Sequence, residues 1–148
     1  MRPFQRTRRG IATNLGPGLA PGLIDLLAAL SDLGDPQEDP AAARLALPVY
    51  LGDDAAASAW ESEHRDRIEL SRLADRATFV RVAEQDPTVV DDDEAKSLVR
   101  VFAELRLVLA ARFGVEVESD YAQLEEEQAE LLDVLGWLQH SLLEELGP

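Results

Sequence analysis

Residues 98–115, LVRVFAELRLVLAARFGV, and residues 131–146, LLDVLGWLQHSLLEEL, decide the fold class. On a wheel of about 100° per residue, Leu98, Phe102, Leu105, Leu109 and Phe113 fall within an arc of about 80°, which marks one buried helix face. Asp91 with Glu94 three positions on predicts a capping box at the amino end of this helix, and Gly114 predicts its stop. The second stretch, extended back to Leu124, places Leu124, Leu131, Leu135, Leu138, Leu142 and Leu146 on one stripe with Trp137 on its flank. Its helix starts between Ser119 and Glu127. On the first wheel Arg106 and Arg112 stand at about +80° and −40° from Leu98, at the edges of the apolar face, while Arg100 and Glu104 point away from it.

Before this helix, Asp86-Pro87 ends a preceding one, because a residue before Pro avoids the α region. From Asp53 and Asp54, natural N-caps, to Gln85 there is neither Gly nor Pro. This stretch predicts one long helix or two abutting ones, with a break near Arg67–Ser71. The pairs Glu61–Arg65, Glu63–Arg67 and Arg65–Glu69 lie at i, i+4 on its solvated side. Its apolar side is expected to be Trp60, Ile68, Leu73, Phe79/Val80 and Val82/Ala83. Residues 34–54, with three prolines and five acids, form the main irregular connection, with a helical turn around Ala41–Leu45. Leu45, Leu47, Val49 and Tyr50 are expected to pin it to the body. Leu19, Leu23, Leu26, Leu27 and Leu30 recur at helical spacing, with Pro21 in the first turn and Gly34 as a stop. At the amino end, Phe4, Arg6, Arg8 and then Ile11, Thr13, Leu15 alternate around Arg9-Gly10, the pattern of a small hairpin. The expected architecture is mainly α: a compact bundle of four to five helices with a short N-terminal β-hairpin. It is a single domain over 1–148, divided into a basic arm or hairpin (1–16) and a helical body (17–148).

Composition narrows the function classes. The chain has 148 residues, 46% of them hydrophobic but only 5% aromatic, so Leu, Val and Ala must fill the core. No cysteine is present, which excludes disulfides, thiolate catalysis and thiol redox sensing within the chain. No apolar run reaches the roughly 18–20 residues of a membrane span, and MRPFQRTRRG lacks the apolar region of a secretory signal. A cytoplasmic protein is expected. Net charge is −15 and unevenly placed: Arg2, Arg6, Arg8 and Arg9 give the first nine residues +4, so the remainder carries −19, the difference of the two. An acidic body repels phosphate backbones, so nucleic acid is expected only through the amino-terminal arm or through a partner.

No constellation nominates catalysis. The Asp91-Asp92-Asp93-Glu94 run reads as a helix cap, since consecutive acids at a helix start diverge rather than converge on Mg²⁺. His64 and His140 stand without HExxH or a Cys partner, so no metal is expected. GPGLAPG (16–22) has neither Walker nor dinucleotide spacing, no serine sits in a nucleophile elbow, and no cofactor is expected. Arg106 and Arg112 are read as structural ion-pair residues, because an unpaired guanidinium at a core edge is costly. The Arg2, Arg6, Arg8, Arg9 cluster is a candidate contact for phosphate or an acidic partner. Its bland reading is a basic end that neutralises part of the acidic body, including 116–133. Trp137, Leu132, Val134 and Leu143 add more apolar surface to the last helix than one buried face requires. They are the candidate partner interface.

RLVLAARFGV (106–115) after DDDEAKSLVRVFAEL (91–105), WLQHSLLEEL (137–146) and RLALPVY (44–50) together resemble the actinobacterial domain-of-unknown-function family DUF2017. The resemblance implies a small, cytoplasmic, mainly helical protein. It further implies a family associated with genes for protein-turnover adaptors and with regulators of stress-responsive transcription. It supplies no catalytic residues, and any cysteine-based sensing would not transfer to this chain. The leading expectation is a non-enzymatic regulatory or interaction protein that binds a protein partner or itself. The alternative is a DNA-associated transcription regulator using the arm, and an uncharacterised enzyme is the third class.

Overall fold

The computed structural model describes the backbone of residues 2–45 and 54–148, and their side chains except those of residues 54–58, 60–63 and 65. The expectations for Leu47, Val49 and Tyr50, the Asp53/Asp54 cap, Trp60 and the ion pairs involving Glu61, Glu63 and Arg65 lie outside the described residues.

The described residues form strands β1 (Phe4–Thr7), β2 (Gly10–Thr13) and β3 (Val89–Val90), and helices α1 (Leu19–Leu26), α2 (Ala28–Ser31), α3 (Pro40–Leu45), α4 (Asp54–Gln85), α5 (Asp92–Arg112) and α6 (Glu126–Leu146). A 3-10 helix over Glu118–Gln123 precedes α6. The fold is mainly α with a short N-terminal hairpin. The Leu-rich segment expected as one helix is two, divided at Leu27. In contrast, α4 runs unbroken through Arg67–Ser71.

α5 is the central element and packs against α6, α4, α3 and α2. Its start is the capping box read from sequence: Asp91 accepts from the Glu94 amide (2.8 Å) and Glu94 accepts from the Asp91 amide (3.0 Å). Its buried arc includes Ala95, Val101 and Val108 beside the expected stripe. That arc therefore spans about 140° rather than 80°. The extra width on the Val101/Val108 side carries α4, and it corrects the expectation that Arg100 and Glu104 point away. Arg100 makes a two-pronged pair with Asp75 of α4, both bonds 2.8 Å. Glu104 accepts from Arg76 Nη2 at 3.1 Å and lies 3.6 Å from Arg72 Nε. Leu73, expected on the buried side of α4, is 59% exposed, while Phe79 and Val82 are buried.

The sheet seals one end of this core. Phe4 pairs with Thr13 and Ile11 with Val90 in an antiparallel β1-β2-β3 order. Phe4, Ile11 and Val90 are buried, and the Phe4 and Phe79 rings meet Phe102 edge-on at 6.5 and 5.2 Å. Gly10 is needed here. Its φ is +141°, and a Cβ would stand 2.4 Å from the Val90 carbonyl oxygen. Asp86, just after α4, ties the sheet to the start of the helical body. It accepts from Thr13 Oγ1 (2.7 Å) and from the Leu15 and Gly16 amides (both 2.9 Å).

Candidate functional site

The outer surface of α6 and the hairpin hold the residues singled out from sequence. Trp137 is 52% exposed and Leu143 45% exposed. Leu132 is buried in the core, and Val134 is partly buried against it, so neither belongs to an open surface. On the α6 wheel, the buried Leu135, Leu138 and Leu142 centre about 140° from Trp137, which therefore points outward. Leu143 stands about 120° from Trp137, and Val134 about 60° away on the opposite side. The four residues do not make one patch. What remains is Trp137 with Asp133, His140 and Glu144 around it on the outward face. His140 Nε2 lies 2.9 Å from a Glu144 carboxylate oxygen.

Leu143 belongs instead to the side of α6 that meets α5. There a groove of about 570 Å³ is lined by Ala103, Arg106, Leu107, Tyr121, Gly136 and Gln139, among others. The Arg106 guanidinium lies over Gly136, with its Cζ 3.5 Å from where a Cβ would stand. It donates to the Gln139 side-chain oxygen at 2.9 Å. An uncharged amide thus occupies the place expected for a carboxylate, and among the described residues no ion pair forms on Arg106. Arg106 is itself exposed, so no buried charge demands one. Tyr121 donates from its hydroxyl to Asp133, and that bond raises the Tyr121 pKa above its ordinary value of 10.0. Arg112 is held in an ion pair: its two terminal nitrogens reach the Asp39 carboxylate at 2.9 Å each, joining α5 to the turn before α3. Amide donation from Gly34, then from Ala41, and the Arg112 contact lower the Asp39 pKa.

The arm is part of the fold. Arg6 lies on the same face of β1 as buried Phe4, because strand side chains alternate. It therefore reaches inward to two helix ends. Arg6 Nε and Nη2 donate to the Glu145 carbonyl at 3.2 and 3.0 Å, and Nη1 donates to Asp92 at 2.9 Å. A cation at the last turn of α6 and an acid at the first turn of α5 both complement the helix dipoles. Arg2 lies 3.6 Å from Glu145. The acids met by the basic end are Asp92 and Glu145 rather than the 116–133 segment. Arg8 and Arg9 form the hairpin turn, exposed, and make no side-chain ion pair among the described residues. Hairpin alternation was legible in sequence, but the destination of Arg6 depends on helix ends 86 and 139 residues away.

Among the described residues no group of His, Asp or Glu is arranged to hold a metal ion, and no helix is long and apolar enough to cross a membrane. Arg106, Arg112 and His140 do not converge: Arg112 is locked to Asp39, Arg106 faces Gln139, and His140 is on the outward face of α6. Comparison with curated proteins and with solved structures gives no match. The sequence model of the family described as "Domain of unknown function (DUF2017)" matches residues 1–146, essentially the whole chain. The chain belongs to the DUF2017 family.

Proposed function

We propose that this chain is a non-catalytic, cytoplasmic interaction protein that docks a protein partner on the outward face of α6. The observation that supports the reading is Trp137, a large aromatic ring 52% exposed on a helix whose core face is already filled by Leu135, Leu138 and Leu142. Exposed tryptophan is enriched among the residues that anchor interfaces. Its surroundings, Asp133 and Glu144, favour a partner that brings an apolar pocket with a basic rim. A partner in stress-responsive transcription is the finer form of this proposal and draws on the associations implied by the family. A second copy of the chain is a less favoured partner, since two such acidic faces repel.

The DNA-binding alternative is narrowed by the placement of Arg6 and Arg2 against Glu145 and Asp92, which leaves Arg8 and Arg9 to contact phosphate. Deleting residues 2–9 would also remove buried Phe4, so the arm is better tested by Arg8→Gln with Arg9→Gln. The test compares affinity capture from the native host with wild-type chain, Trp137→Ser and the double arginine variant as baits. Loss of one retained protein only with Trp137→Ser supports docking on α6. Loss only with the double arginine variant favours the alternative.

A further inference from the structure

The cleft between α4 and α5, bordered by the end of α3, concentrates cations in a protein that is short of them. Arg44, Arg67, Arg72 and Arg100 line it, and Arg76 stands behind them. Five of the fourteen basic residues of a chain with net charge −15 therefore gather at one place. Two carboxylates, Asp75 and Glu104, answer them within the cleft. More distant Asp93 adds attraction on Arg100.

The layering matters as much as the count. The Asp75 and Glu104 side chains are 11% and 12% exposed, at the bottom of the cleft, whereas Arg72 and Arg100 are 31% and 56% exposed above them. A solute arriving from water meets guanidinium groups first. Arg100 spends Nε and Nη2 on Asp75, and Arg72 spends Nη2 on the Leu45 carbonyl at 2.9 Å. Among the described residues neither terminal Nη1 has an acceptor, and neither does any donor of Arg67. Arg76 Nε is buried without a partner among them. If the arginines served only to neutralise α4 against α5, two carboxylates would call for two or three of them, because surplus like charges repel.

We propose that this cleft is an anion site that takes an oxyanion, phosphate or carboxylate, carried on an apolar or planar group. The guanidinium groups suit the oxyanion because each presents paired donors in a plane. Leu45, Ile68 and Leu107 supply the apolar wall against which the rest of the ligand lies. The volume of about 580 Å³ is that of a small-molecule site. A cationic cleft in an acidic surface also focuses the field, drawing anions toward it. This inference does not depend on the Trp137 surface.

The test is a titration of the full chain with phenyl phosphate, benzoate and inorganic phosphate at constant ionic strength, followed by NMR of the arginine Nε–H groups. The expected result is saturable shifts confined to Arg67, Arg72 and Arg100, with phenyl phosphate or benzoate binding more tightly than inorganic phosphate. The tighter of the two organic anions identifies the oxyanion class. Arg67→Gln, which removes no described contact, weakens binding by about tenfold, the loss of one charge-assisted bond, while Arg8→Gln leaves it unchanged. Non-saturating shifts shared with Arg8 and Arg9, equal affinity for inorganic phosphate, or an unaffected Arg67→Gln variant would each overturn the proposal.

Discussion

Arg6→Gln separates a structural arginine from a binding one. Gln keeps the strand backbone and removes two carbonyl contacts at the end of α6 and one ion pair at the start of α5. The Arg6–Asp92 pair is open to water, with side chains 41% and 57% exposed, so it contributes about 0–1 kcal/mol. The two bonds to the Glu145 carbonyl share one acceptor and sit at the negative end of a helix dipole, which adds about 1 kcal/mol. The total loss is then about 1–2 kcal/mol, or a fall in Tm of about 3–6 °C for a chain of this size. Urea unfolding followed by far-ultraviolet circular dichroism measures it, with Arg8→Gln as the matched control. Arg8 has no described partner, and its variant should stay within about 0.5 kcal/mol of wild type. Equal stability of the two variants would refute the account of the arm as a clamp between β1, α5 and α6.

Three further outcomes follow from the same geometry. Gly10→Ala should destabilise by about 2 kcal/mol or more in urea unfolding, and Gly10→Asn should not rescue it, because the Val90 carbonyl excludes any Cβ as well as φ disfavouring one. Asp86→Ala removes the acceptor of Thr13 Oγ1 and of two backbone amides, and should cost about 2–4 kcal/mol in the same assay. The Arg100 hydrogen bonds, against opposing desolvation, lower the Asp75 pKa from its ordinary 3.8. A carboxylate whose pKa falls on folding stabilises the fold fully above its unfolded value and loses that contribution as pH drops through the folded one. The stability gap between wild type and Asp75→Asn should therefore hold from neutral pH down to about 4 and narrow below it. A gap that widens on acidification would contradict the pairing.

Sequence patterns made α5, α6 and the hairpin legible because each is encoded by neighbours: the 91–94 box, the Leu stripes, the alternation around Gly10. What was not legible rests on distant contacts. β3 is two residues long and exists only because Val90 meets Ile11. Asp86 reads locally as a helix stop, yet its bonds go to residues 13–16. Arg100 and Glu104 were misplaced because the wheel was given one partner, whereas α5 is packed on several sides and its Val101/Val108 flank holds α4. Counting apolar residues on α6 does not say which of them the core takes: Trp137 and Leu143 are exposed but on different sides of the helix, and the core took Leu132. Nothing local marked the arginine cleft, whose members come from α3, α4 and α5.

Whether Trp137 presents α6 to a protein partner is decided by paired capture from native-host lysate. Wild-type chain and Trp137→Ser, first shown to have the same far-ultraviolet dichroism and urea midpoint, serve as baits. A protein retained by wild type and lost from Trp137→Ser is the predicted result. Identical retention by the two baits, or no retained protein by either together with a strict monomer in light scattering, would contradict it.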